Sequence, residues 1–238
     1  MEEKLIVANP ITHVHAIRKI DSYAETKRKL LAEFIGTYSL VFAGTGAIIV
    51  DSITHSLTHV GVAITFGLVV LALIYSFGHI SGAHFNPAVT LAFLSLGEIN
   101  KREAILYFFT QLIAASVASF TLLLMFGNVS HLGATLPRGS WMQSFVLEFV
   151  LTFILVMVIL TSAVHGKATK SFAGIAIGAT VSLEAMFGGP ISGASMNPAR
   201  SFGPAVVSCT FDSLWIYLVA TMLGALCAAL IYKIFHEE

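Results

Sequence analysis

Two nine-residue stretches carry the side chains best suited to handling a small polar molecule. ISGAHFNPA occupies 80–88 and ISGASMNPA occupies 191–199, 111 positions later and alike at seven of nine places. Asn is a preferred N-cap, and Pro fits a first helical turn, where no N–H bond is lost. Asn86 and Asn197 therefore read as caps, with Pro87, Ala88, Pro198 and Ala199 opening two short helices. The small-residue run before each cap reads as extended backbone. At membrane depth such backbone is tolerated only where it lines a wet cavity. The carbonyls of Gly82, Ala83, His84 and of Gly193, Ala194, Ser195 then form ladders of acceptors. The two Asn amides become donors where two helix N-termini, both positive ends of dipoles, meet. Such a site accepts a neutral hydroxylated solute and repels cations. One Asn-Pro-Ala alone reads as a plain helix start; two in corresponding places make that reading improbable.

The surrounding chain is of membrane composition. Of 238 residues, 56% are hydrophobic and only 11% charged, and the mean hydropathy is +0.85. Soluble domains carry roughly a quarter charged residues. Basic and acidic residues balance at 13 each, so the basic excess expected of a nucleic-acid binder is absent. Apolar stretches near 30–51, 60–79, 103–126, 141–163, 171–188 and 213–235 are long enough to cross a bilayer. Two more, near 84–96 and 195–208, are too short to span, and each begins inside a repeated motif. With both termini cytoplasmic, eleven of the thirteen Lys and Arg residues fall inside and only Arg138 and Arg200 fall outside. The positive-inside rule selects that orientation. Residues 1–29 are polar and mixed, without the core of a cleavable signal, and read as a cytoplasmic extension. Ile11, Val14, Ile17 and Ile20 allow an interfacial helix there; a loosely ordered tail is the equal alternative.

The repeat is larger than the motif. AEFIGTY (32–38) in the first span resembles LEFVLTF (147–153) in the fourth. Each half, about 30–126 and 141–235, orders a span with Glu, a span, a half-span with Asn-Pro-Ala, and a span. Three spans per half is odd, so the halves enter the membrane from opposite sides. Inverted repeats with broken helices meeting near the midplane build solute passages.

Several other residues have two readings. Glu33 and Glu148 are intramembrane acids, which are functional candidates by default. A proton relay is one reading; the favoured one is an acceptor holding the N–H groups of a re-entrant loop. Glu184 could bond Arg200 or an outer loop, or face a helix neighbour. His79 and His84 allow a pH gate, with ordinary structural histidines preferred. His13 and His15 lack further metal ligands nearby, and no metal or other cofactor is expected. Cys209 and Cys227 are placed in or near one predicted helix, where the eighteen residues between them span about 27 Å, too far for a disulfide.

HFNPAVT (84–90) and SMNPARS (195–201) resemble the paired signatures of the aquaporin, or major intrinsic protein, family, over about residues 30 to 235. The resemblance implies six tilted helices, two re-entrant half-helices, one pore per subunit and a homotetramer. It also implies a four-residue filter near the outer mouth. By spacing from the motifs that filter is Phe66, Ala185, Ala194 and Arg200. Water-selective members typically place His second; glycerol facilitators place Trp first and an aromatic third. Phe-Ala-Ala-Arg is neither pattern. Ser201 and Ala205 stand as in water channels, whereas EAMFGGPISGASMNPARSFGPA and YSFGHISGAHFNPAVTLAF look most like the nodulin-like branch, whose members commonly pass glycerol or metalloid acids.

The expected molecule is thus an all-α, multi-pass protein of a plasma or bacterial inner membrane. Its partners are the bilayer, small neutral solutes and copies of itself. It acts not as an enzyme but as a passive channel for water, glycerol and metalloid acids such as boric, silicic or arsenous acid, excluding ions and protons. A water-selective channel is the close alternative. An ion-coupled transporter would need a charged midplane site, and a sealed structural protein would pass nothing.

Overall fold

A computed structural model describes residues 10–166, 168 and 170–236, with side chains described from Tyr23. Among the described residues, eight α-helices run in the order α1 (Pro10–Thr54), α2 (Thr58–Ser81), α3 (Pro87–Leu96), α4 (Lys101–Phe126), α5 (Trp141–Ile159), α6 (Ala173–Ser192), α7 (Pro198–Ser208) and α8 (Leu214–His236). Six helical stretches are long and apolar enough to cross a membrane, and α3 and α7 are not. The six predicted spans and two half-spans each have their helix. Position 29 is not an element boundary, because α1 passes through it unbroken. Residues 1–9 of the expected extension lie outside the described residues.

Helix ends follow local chemistry. Gly82, Gly97 and Gly193 stop α2, α3 and α6 in the left-handed conformation that costs Gly least. Asn100 and Ser140 cap α4 and α5 with side-chain oxygens that accept from Glu103 N and Gln143 N. At its far end α5 continues into one π-helical turn, Leu160–Val164.

The helices pack as two equivalent halves. The α1·α4 pairing recurs as α5·α8, α1·α2 as α5·α6, and α4·α7 as α8·α3. Helices α2 and α6 pair across the centre. There Gly67 faces Gly178, its equivalent 111 positions on, and a Cβ on either would collide with the other's carbonyl oxygen. Close approach through small residues is how membrane helices gain packing energy without a hydrophobic driving force. Both half-helices point their N-terminal Asn residues inward, so α3 touches α7 at the middle of the molecule.

The cysteines do not share a helix. Cys209 ends α7 in a left-handed conformation and Cys227 lies within α8; both are free. The loop after α7 separates them, which the apolar composition alone did not reveal.

Candidate functional site

Each motif Asn does two jobs. Asn86 Oδ1 accepts from Ala88 N at 2.8 Å, and Asn197 Oδ1 accepts from Ala199 N at 3.0 Å and Arg200 N at 3.3 Å. These are the expected caps. The amides cross between halves: Asn86 Nδ2 donates to Met196 O at 2.8 Å, and Asn197 Nδ2 donates to Phe85 O at 2.9 Å. An amide NH₂ has two hydrogens, so one remains on each Asn for a third party. Pro87, Ala88, Pro198 and Ala199 are buried behind the Asn pair, at the first turns of α3 and α7, and do not line the passage.

The backbone leading to each Asn is strained in the same way twice. Ala83, Phe85, Ala194 and Met196 all have positive φ, between 43° and 53°, which costs a non-glycine residue about 1–2 kcal/mol. Buried acids hold these turns. Glu33 accepts from Ser81 Oγ, His84 N, Phe85 N and Gln111 Nε2 at 2.7–2.9 Å. Glu148 accepts from Ser192 Oγ, Ser195 N and Met196 N at 2.7–3.1 Å. Hydrogen bonds to an ionised group are about twice as strong as neutral ones. Two tyrosines complete the scaffold: Tyr107 OH donates to Ser81 O at 2.8 Å and Tyr217 OH to Ser192 O at 2.7 Å. The sequence reading missed both. Their only signal is corresponding places in the two halves, each 25–26 residues after the Ser it serves. It also missed Gln111, which has no equivalent, since Thr221 bonds its own helix.

A passage runs along this scaffold, lined by Gly82, Ala83 and His84, by Ala194 and Ser195, by both Asn residues, and by apolar side chains such as Leu155, Ile159, Ile177 and Val181. A second, wider cavity lies beyond it, walled by Asp51, His59, His131 and Arg138. Gly193 faces this cavity and not the passage. Four residues line both spaces: Phe66, Ala185, Ala194 and Arg200. They form the neck between the passage and the wider cavity.

The neck holds one fixed charge. Arg200 is buried; its Nη1 donates to Gly133 O at 2.8 Å, and its guanidinium carbon stands 5.1 Å from the Phe66 ring centroid. Its buried Nε has no partner among the described residues, and of its five N–H donors only one is engaged by Gly133 O. Ser201, next to it, takes a hydrogen bond from Thr135 at 2.8 Å and pairs with Ser195 at 2.5 Å. His84 is buried, its Nδ1 3.0 Å from Thr90 Oγ1 and its ring against Phe93 and Tyr107. His79 is exposed at the far end of α2.

The family model described as "Major intrinsic protein" matches residues 20–232. This chain belongs to that family. Among curated relatives of this major intrinsic protein, "Aquaporin NIP1-1" of Zea mays is 47% identical over 209 residues, covering 87% of this chain and 74% of that one. "Nodulin-26" of Glycine max is 43% identical over 238 residues, covering 98% and 88%. Among solved structures, the aquaglyceroporin from Plasmodium falciparum superposes with a TM-score of 0.78 at 27% identity, covering 87% of this chain and 96% of that one. The resemblance to the nodulin-like aquaporins holds, and the molecule is a multi-pass membrane protein of a channel family.

One acid of this major intrinsic protein stands apart. Glu184, beside Ala185, is 1% exposed, and neither carboxyl oxygen has a partner among the described residues. It bonds neither Arg200 nor an outer loop. An unsatisfied buried polar group costs about 1–3 kcal/mol, more when charged. Glu184→Met keeps the volume and removes the orphaned oxygens. The thermal midpoint of the detergent-solubilised protein is expected to rise; a fall would mean that the carboxyl has a stabilising partner.

Proposed function

We propose that this chain is a passive channel for small uncharged solutes: water, glycerol, and metalloid acids such as boric, silicic or arsenous acid. The observation that carries the reading is the neck. Phe66 and Arg200 wall it, while Ala185 and Ala194 contribute only methyl side chains there. A hydroxylated solute meets donors from Arg200 and then one free N–H on each of Asn86 and Asn197. It meets carbonyl acceptors from Ala194 and Ser195 on the Arg200 side of the Asn pair and from Gly82, Ala83 and His84 on the other side. Apolar walls opposite carry the solute's CH surfaces.

Ions are refused on the same basis. A permeating ion needs its hydration replaced by ligands of suitable sign. A cation meets a guanidinium and two positive helix ends; an anion meets the apolar wall and rows of carbonyls. Glu33 and Glu148 hold backbone in this reading and relay no protons, because their oxygens are engaged with loop donors. The channel lies in a plasma or bacterial inner membrane with both termini cytoplasmic, placing the wider cavity outside. Four copies assemble, each with its own pore, and the lipid-facing helices meet the bilayer.

A water-selective channel is the second reading, favoured by Ser201 and by the ring of Phe66 in the neck. The test of ion exclusion is common to both. Proteoliposomes carrying a pH-sensitive dye and an imposed potential are expected to show no proton or sodium current above bare lipid, while neutral solutes pass. A robust proton current at neutral pH would overturn the channel reading in favour of a coupled transporter.

A further inference from the structure

The width of the neck depends on a residue that does not line it. Gly44 of α1 lies directly behind the Phe66 ring. A Cβ on Gly44 would fall against Phe66 Cε1 and stand 2.5 Å from both Cδ1 and Cζ, where ordinary contact is 3.4–4 Å. One partner would have to give way.

The helices have little room to do so. Thr45 and Val41, beside Gly44 on α1, are fully buried. The turn at Gly133 backs onto α1 so closely that a Cβ there would lie 2.9 Å from Thr45 Cβ. Gly46 faces Leu122 of α4. Helix α2, which carries Phe66, is pinned on its other side by the contact of Gly67 with Gly178 of α6. The mobile part is the Phe66 ring, which is only partly buried. The open space beside it is the neck, with the Arg200 guanidinium carbon 5.1 Å from the ring centroid.

We propose that Gly44 is a specificity-determining position: its missing side chain lets Phe66 lie back against α1, and this sets the bore through which anything wider than water passes. Any residue with a Cβ at 44 drives the ring toward Arg200 and narrows the neck without changing a single neck residue. Ala185 and Ala194 make space on their sides of the opening, and Gly44 makes it at the Phe66 side. The inference deepens the reading of the neck as the filter and rests on it.

The experiment compares Gly44→Ala, Phe66→Leu and the double variant in matched proteoliposomes, with water and glycerol flux read by stopped-flow light scattering. Overpacking costs about 1–3 kcal/mol and 1.4 kcal/mol is tenfold in rate, so Gly44→Ala is expected to lower glycerol flux about ten-fold or more and water flux about three-fold or less. Leu lacks the Cε1 and Cζ that meet the added Cβ, and its short branched end can turn away from it, so Gly44→Ala in the Phe66→Leu background is expected to leave the glycerol-to-water ratio within about two-fold of Phe66→Leu alone. A Gly44→Ala protein with the parent's ratio would overturn the proposal. So would equal losses of glycerol and water that Phe66→Leu does not relieve, because they would place the effect in helix packing. If Gly44→Ala folds poorly, recovery of folded protein on adding Phe66→Leu supports the clash, and failure to recover overturns it. A parent that passes water but no glycerol defeats the solute range proposed above. The water loss in Gly44→Ala and its rescue by Phe66→Leu still decide the role of Gly44.

Discussion

The double variant Ala185→His, Ala194→Thr is expected to lower glycerol and metalloid-acid flux by about ten-fold or more while changing water flux by only a few-fold. Both residues line the neck, one from α6 and one from the loop before α7, and Phe66 and Arg200 stay in place. An imidazole at 185 fills the space that a methyl leaves and adds a polar group that holds passing water. A Thr at 194 adds a hydroxyl on the neighbouring wall. The resulting Phe-His-Thr-Arg set resembles that of water-selective family members. Overpacking by a few atoms costs about 1–3 kcal/mol in a close-packed site, and at a transport barrier 1.4 kcal/mol is roughly a factor of ten. Water is small enough to escape most of that cost. Stopped-flow light scattering on proteoliposomes of matched protein content measures both fluxes. Equal glycerol flux in parent and variant would move the selective step away from the neck.

Glu148→Leu is expected to remove folded protein almost entirely. The carboxylate is fully buried and receives Ser192 Oγ, Ser195 N and Met196 N. Leu leaves three buried donors without an acceptor, at about 1–3 kcal/mol each. It also releases Ala194 and Met196 from the positive-φ conformations that the carboxylate holds. The sum approaches the whole stability of a typical domain, about 5–15 kcal/mol. Glu148→Gln keeps one acceptor oxygen and replaces the other with a donor facing the same N–H groups, so a partial loss is expected. Size-exclusion recovery and thermal unfolding in detergent measure the series. A Glu148→Leu protein as monodisperse and stable as the parent would show that the loop before α7 holds itself.

What the sequence allowed to be read depended on locality and on the repeat. The caps at Asn86 and Asn197 were legible because an N-cap is a local preference, and the following Pro narrows the choice. Glu33 and Glu148 were legible as a pair because the same short pattern appears at matching places in both halves. The crossing of each Asn amide to a carbonyl of the other half was not, because no local pattern encodes a contact over 110–112 positions. The same holds for Arg200, whose partner Gly133 lies in the connection between α4 and α5. Nothing local marks the hydroxyls of Tyr107 and Tyr217; only the fold turns them onto Ser81 and Ser192. The neck positions are legible through resemblance and spacing, whereas Gly44 is not, since a glycine in an apolar helix gives no sign of which ring it seats. Near residue 29 the composition changes from mixed polar to apolar while α1 runs on unbroken.

The most direct test is the permeability of proteoliposomes to water, glycerol, boric acid and arsenous acid, measured side by side against bare lipid. A neck bounded by Phe66, Arg200 and two methyl groups is expected to pass all four well above the lipid background. Water permeation alone, with glycerol and both metalloid acids at background, would contradict the account and leave a water-selective channel in its place.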